Sequence, residues 1–282
     1  MDGARRVLVA ADKFKGSLTA VEVAERVTAG LRRVVPDLEV EALPVADGGD
    51  GTVAAAVAAG FERREVRVAG PLGDEVTAAF ALRDGTAVVE MAEASGLQRL
   101  PEGVLAPLTS STYGSWTSSG GPVAPGGGGL ADVASADLSG LDPRLTDVEL
   151  VLASDVDNPL TGPKGAPAVY GPQKGASPQD VETLDAALAH FAKVLEGTET
   201  VGARAAGYAA SPGAGAAGGI GFGAMLLGAR FRPGIEVMLD VLGFAPALER
   251  ADLVITGEGS LDEQTLHGKA PAGVASAARG AG

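Results

Sequence analysis

Two carboxylates stand among three glycines in Pro44-Val45-Ala46-Asp47-Gly48-Gly49-Asp50-Gly51-Thr52-Val53, after an apolar run and before an alanine-rich one. Asp47 and Asp50 at such a turn can hold Mg²⁺ or take a proton from a hydroxyl. Gly48 and Gly49 let the backbone enter left-handed conformations and come close to a ligand. The N–H groups that open the next helix favour an anion. The same residues also suit a plain strand-to-helix turn with an aspartate as N-cap.

Five further clusters share this texture. In Asp12-Lys13-Phe14-Lys15-Gly16-Ser17, Lys13 and Lys15 flank a phenylalanine in a glycine-closed loop, where they serve a ligand or simply meet solvent. In Ser154-Asp155-Val156-Asp157-Asn158-Pro159, Asp155, Asp157 and Asn158 suit a metal or a polyol, and equally an Asx-turn before proline. Lys174 sits in the basic turn Gly171-Pro172-Gln173-Lys174-Gly175. Gly213 and Gly215 open a G-x-G-x-x-G pattern that no clear strand immediately precedes, which weakens it as a dinucleotide fingerprint. It reads as a phosphate nest or as a closely packed loop. Finally, Gly257-Glu258-Gly259-Ser260-Leu261-Asp262 and the later Lys269-Ala270-Pro271 gather acid, hydroxyl and lysine. No Walker A pattern occurs.

The elements that must carry these clusters follow from periodicity. Val7 to Ala11 is a continuous apolar run and reads as a buried strand. Thr19-Ala20-Val21-Glu22 is a capping box, followed by Val23, Val27, Leu31 and Val34 or Val35 at helical spacing up to Pro36. Val40 to Pro44 is a second strand, so two βα units each end a strand in a Lys- or Asp-bearing loop, where open α/β sheets bind ligands. Val66 to Val68, Val76 to Leu82 and Ala87 to Met91 then read as an antiparallel meander. Glu90 suits a strand face, and Ser95 a cap or equally a ligand. Leu108 to Gly140 is rich in Ser, Thr, Gly and Pro and yields no packed element. Val148 to Ala153 and Asp252 to Thr256 read as strands. Ser177-Pro178 starts a helix with Leu184, Leu188, Phe191 and Leu195 on its apolar face, beside which His190 reads as structural or exposed. The fold class is α/β with two domains. One is doubly wound with a mostly parallel sheet, built from residues 1–69 and 247–282; the other, residues 70–246, has a mixed or antiparallel sheet with helices.

Composition narrows the function. A net charge of −14 and 4% aromatics argue against nucleic acid and anionic membranes as partners. The absence of cysteine removes disulfides, thiolate nucleophiles and Cys-bound zinc. No apolar run is long enough to span a bilayer, and the N-terminus does not read as a signal peptide, so a cytoplasmic protein is expected.

In these six ordered motifs, over most of residues 5–110 and 140–280, the chain resembles the bacterial type I glycerate kinases. The resemblance implies transfer of a phosphoryl group from ATP, with Mg²⁺, to a hydroxyl of D-glycerate. It also implies a two-domain protein in which both chain ends build one domain. Within that reading Lys15, Asp47, Asp50 and Lys269 are the expected catalytic groups, and Glu258 and Asp262 the expected metal ligands. Substrate contacts are expected from Lys13, Gly48, Gly49, Asp157, Asn158, Lys174, Gly213 and Gly215. The chain departs from the family after Ser111-Thr112-Tyr113-Gly114, where members continue with a helix, a strand and a glycine-rich loop, and at Gly282, where members enter another strand. Both departures carry an expectation of impaired activity and stability. The alternatives are an inactive homologue that binds a small acidic metabolite, and a metal-dependent hydrolase using the same acids.

Overall fold

A computed structural model describes residues 6–100, 117–118, 121–124, 126–199, 201–260 and 269–281. In chain order the elements are β1 (Arg6–Val9), α1 (Ala20–Val34), β2 (Glu39–Ala42), α2 (Thr52–Ala58), β3 (Glu62–Ala69), β4 (Glu75–Arg83), β5 (Thr86–Val89) and α3 (Met91–Ser95). The short pair β6 (Thr117–Ser118) and β7 (Gly121–Pro122) follows, then β8 (Val151–Ala153), α4 (Ala166–Tyr170), α5 (Pro178–Glu196), α6 (Gly202–Tyr208) and α7 (Ile220–Leu226). The remainder is β9 (Arg230–Arg232), α8 (Gly234–Leu242), α9 (Phe244–Glu249), β10 (Leu253–Ile255) and α10 (Ala270–Gly280).

The first sheet is parallel, ordered β10-β1-β2, with Val7 beside both Leu253 and Val40. Its central strand is buried from Val7 to Ala11, as a strand covered on both faces must be. Pairing outlasts the named strands. Ala10 and Asp12 donate to the carbonyls of Ile255 and Gly257, while Leu43 and Val45 donate to those of Val9 and Ala11. The loops after β1, β2 and β10 therefore leave the sheet side by side. On one face α8, α9 and α10 pack on Leu8, Ala10 and Val45 through Met238, Phe244 and Val274. On the other, α1 covers Val7 and Val9 with Ala24, Val27 and Leu31. Its capping box forms as expected, through Thr19 and Glu22. Its last turn does not pack: Val34 is 80% exposed, so the apolar stripe ends at Leu31.

The second sheet is the antiparallel meander β3-β4-β5, with Val66 opposite Ala78 and Leu82 opposite Ala87. One face rests on α2 through Phe61, Ala79 and Ala81 against Val53 and Ala56. Arg83 ties this sheet to two helix ends. Its guanidinium lies 4.0 Å over the Phe61 ring and donates to the carbonyls of Ala59 (2.7 Å), after α2, and Val241 (2.9 Å), near the end of α8. Cations are favoured at helix C-termini. With two charge-assisted bonds and a cation–π contact, Arg83→Ala is expected to cost about 2–4 kcal/mol, which a thermal melt would read as a fall of roughly 5–10 °C. A melt within about 1 °C of the parent would show that the tether carries no stability.

The third body is helical, built on α5, α6 and α7 beside the two-stranded parallel pair β8-β9. Part of the region that yields no element from sequence packs here: Gly127–Asp132 forms a 3-10 turn, and Leu130 and Val133 enter the core. A Cβ on Gly129 would lie 2.0 Å from the Ala124 carbonyl oxygen, so the turn needs glycine. His190 is structural, its Nε2 donating to the Val133 carbonyl at 2.8 Å.

Candidate active site

Because β1, β2 and β10 end in register, their loops bring Asp12, Asp47 and Glu258 together. Asp12 is 4% exposed and accepts from the Lys13 backbone N–H at 2.6 Å, with the Lys13 ammonium at 3.7 Å. Burial pushes its carboxyl up to about 6; the Lys13 charge and N–H pull the other way, and the charges of Asp47 and Glu258 add to the rise. Asp47 is half-buried, and its Oδ1 accepts from the Gly49 N–H at 3.1 Å. Asp155, in the loop after β8, is exposed to an open cavity yet partly desolvated by its walls. That desolvation raises its pKa, Asp47 raises it further, and Lys269 and Lys13 oppose the rise. Four acids and two lysines from four loops thus act on one another.

The lysine loop is shaped by Gly16, at φ 81°, and by a bridge between Phe14 and Leu18. Its backbone lies against Gly259, where a Cβ would come within 3.1 Å of the Lys15 nitrogen. Lys15 is exposed, and Lys269 is half-buried at the N-terminal end of α10. The Asp47 loop is wedged still more tightly. Gly48, at φ 96°, faces the Ala153 carbonyl, and Gly234 of α8 sits on the Asp47 carbonyl so closely that a Cβ there would be 1.8 Å away.

A folded Asp12 with a raised pKa holds its proton more tightly than the unfolded chain does. Its ionisation therefore costs stability as pH rises from about 4 to about 6, and the full cost, on the order of 3 kcal/mol, applies above that. Without added metal, Asp12→Asn is expected to raise the melting temperature at pH 8 and change it little at pH 4. Equal destabilisation at both pH values would refute this.

Gly48, Gly49 and Asp50 line a cavity of about 1210 Å³ together with Asp155, Tyr170 and Lys174. It lies between β5 and the β8 loop. The anion at the N-terminus of α2 turns out to come from the protein itself. Glu90, only 8% exposed, accepts from the Gly51 N–H (3.1 Å) and the Val53 N–H (3.0 Å). Glu90 is thus not a plain strand-face residue. Burial raises its pKa, the two amides oppose that, and Glu93 and Asp50 add to it.

The other expected residues are distributed differently. Asn158 spends its side chain locally, donating to the Lys164 carbonyl at 2.8 Å and accepting from the Tyr170 hydroxyl. Asp157 is exposed and, with Asp155 and Glu236, lines a second hollow of about 600 Å³. Gly213 and Gly215 are buried. Added Cβ atoms would come within 2.5 Å of the Phe231 ring and 2.4 Å of the Pro159 carbonyl, and the Gly215 N–H is given to Asn158. That geometry matches the closely packed loop among the two readings of this pattern. Asp262 lies outside the described residues. Among the described residues, no three acids or imidazoles form a group able to enclose a metal, and no helix is long and apolar enough to cross a membrane. Sequence reasoning named Asp155 among the metal or polyol candidates of its motif but did not single out Asp12, although Asp12 stands inside a motif it quoted. Gly234 carried no signal, because its role lies in a contact 187 positions away in the chain.

Lysines and carboxylates facing one another at the ends of parallel strands mark an α/β enzyme for a small charged substrate. Comparison with known proteins narrows the class. The sequence model of the glycerate kinase family matches residues 7–117 and 115–282, and the chain belongs to that family. It is 42% identical to the glycerate kinase of Halalkalibacterium halodurans over 316 aligned positions, covering 97% of this chain and 82% of that protein. It is 39% identical to the glycerate 2-kinase of Escherichia coli K12 over 318 positions, with the same coverage of 97% and 82%. A crystal structure of a protein provisionally named glycerate kinase 2, from Salmonella typhimurium LT2, superposes with a TM-score of 0.84 at 39% identity, covering 98% of this chain and 84% of that one.

Proposed function

We propose that this chain is a glycerate kinase that transfers the γ-phosphoryl group of ATP to a hydroxyl of D-glycerate. The observation that carries the reading is the single group formed by Lys13, Lys269, Asp12, Asp47, Asp155 and Glu258 at the strand ends. Phosphoryl transfer asks a protein mainly for positioning and charge neutralisation. In this reading Lys13, Lys15 and Lys269 balance the charge of the phosphates and of the glycerate carboxylate. Asp47 orients the acceptor hydroxyl and takes its proton, and Asp50, exposed at the cavity rim, is a further contact. Lys174, Asp157 and the Gly48-Gly49 turn are proposed to border the bound substrates, with Asn158, Gly213 and Gly215 shaping that border. The donor set suits Mg²⁺, which takes one or two carboxylates and completes its shell with phosphate and water rather than needing a protein cage. Asp155 and Glu258, with Asp262, would hold it, and it would neutralise phosphate charge. The name of the E. coli relative favours the 2-hydroxyl as acceptor.

The proposal extends to the chain's organisation: type I membership, a cytoplasmic location, and two α/β domains of which one is built from both chain ends. It also includes an internal deletion near residue 115. Two observations support the deletion: the family match falls into two stretches that meet at 115–117, and the alignments run over 316 to 318 positions against a chain of 282. The same gap favours a second reading, a homologue that binds glycerate without turnover. A glycerate phosphorylation assay with ATP and Mg²⁺, run beside a longer relative, separates them. Phosphoglycerate formation supports the kinase. Calorimetric glycerate binding without product supports the second reading. Phosphate release independent of glycerate overturns both in favour of a hydrolase.

A further inference from the structure

The helix that follows the acid loop cannot cap itself. α2 has seven residues, and its N-cap is Gly51, left-handed at φ 93° and without a side chain. The Thr52 N–H turns to the Gly49 carbonyl at 3.3 Å, and the N–H groups on either side of it are left to an outside acceptor. Those of Gly51 and Val53 are taken by Glu90, which arrives from the end of β5 in the antiparallel sheet, 39 residues beyond Gly51 in the chain. Both carboxylate oxygens are used, one on Gly51 and one on Val53, so the bond fixes direction as well as distance. Two more contacts hold the same segment. The Thr52 hydroxyl donates to the Gly49 carbonyl at 2.6 Å, and Gly234 abuts the Asp47 carbonyl. Those restrain its beginning and middle; Glu90 restrains its end from the other sheet.

We propose that Glu90 is a positioning residue: by clamping Gly51 and Val53 it ties the antiparallel sheet to the acid loop and sets the aim of Asp47 and Asp50. The kinetic part of this rests on the glycerate kinase reading; the clamp itself does not. A helix cap of purely structural value would lower the melting temperature and leave turnover per folded molecule unchanged. A positioning role moves kcat more than nucleotide binding, since Glu90 holds the acid loop through two backbone amides while its own side chain borders the same cavity and its charge acts on Asp50.

Glu90→Gln and Glu90→Ala, assayed with ATP and D-glycerate and followed by amide hydrogen exchange, test it. Glu90→Gln keeps the shape but turns an NH₂ toward one of the two amides. It is expected to lower kcat about 10-fold with the KM for ATP within about 2-fold. Glu90→Ala is expected to lower kcat about 100-fold and to speed exchange in residues 48–54 at least about 10-fold. If the alanine variant does not fold, the glutamine variant decides. Parental kcat in folded Glu90→Gln, or parental exchange over residues 48–54, overturns the proposal. Should the parent chain fail to phosphorylate glycerate, the kinase reading falls, and the exchange rates in Glu90→Gln alone uphold or overturn the clamp.

Discussion

Gly234→Ala is expected to remove most activity and much stability together. The added Cβ would stand 1.8 Å from the Asp47 carbonyl oxygen, where real contacts essentially never fall below 3.0 Å. No rotamer relieves this, because both atoms are fixed to backbone. Either α8 or the acid loop has to move by more than about 1 Å. α8 is the costly choice, since Ile235, Met238, Leu239 and Leu242 all lie in the core beneath the parallel sheet. Overpacking of this kind costs about 1–3 kcal/mol, occasionally more, and the site stands toward the upper end. If the loop yields instead, a 1 Å displacement of Asp47 is worth about 100-fold in rate. Melting and steady-state kinetics on one preparation show how the strain divides. Parental values in both would mean that the two backbones do not touch.

Asp47→Asn has the opposite signature. Its carboxylate raises the pKa of both Asp12 and Asp155, so its charge opposes theirs in the folded protein. Asparagine removes that repulsion and can keep the oxygen that accepts from Gly49. The melting temperature should hold or rise, while kcat/KM for glycerate falls about 1000-fold, within the range for loss of a general base. Loss of function with gain of stability is the mark of a strained active group. A variant with near-parental kcat/KM would take Asp47 out of the reaction and pass its role to Asp12 or Asp155.

Much of the parallel sheet was legible because its signals are local. The apolar run at Val7 to Ala11 and the capping box at Thr19 state their structure within a few residues. All six acids and lysines in the site group could be named as chemistry-bearing or stood in motifs that were, since each sits at a strand or helix end. What did not show was cross-chain. Glu90 reads as one more strand residue until β5 is seen to end beneath α2. Gly234 carries no signal until α8 is seen to dock on the loop. The glycine run at 126–129 yields no packed element, because the apolar anchors it delivers, Leu130 and Val133, gain meaning only against the helical core around α5. The stripe of α1 was over-extended for a related reason: spacing gives the face of a helix and not the point where its partner sheet ends.

The pairing of Val7 with Leu253, and of Asp12 with Gly257, has a temporal consequence. During synthesis the first strand leaves the ribosome long before its outer neighbour exists. Until about 250 residues have emerged, β1 has only β2 beside it, and Asp12 and Asp47 stand without Glu258. Closing so long a loop is a slow, entropically costly event compared with local pairing. The nascent chain therefore carries the meander and the helical body before it can carry a site, and its most apolar strand waits longest for cover. An apolar strand left uncovered is prone to aggregate, and the group of acids is complete only once β10 has paired with β1.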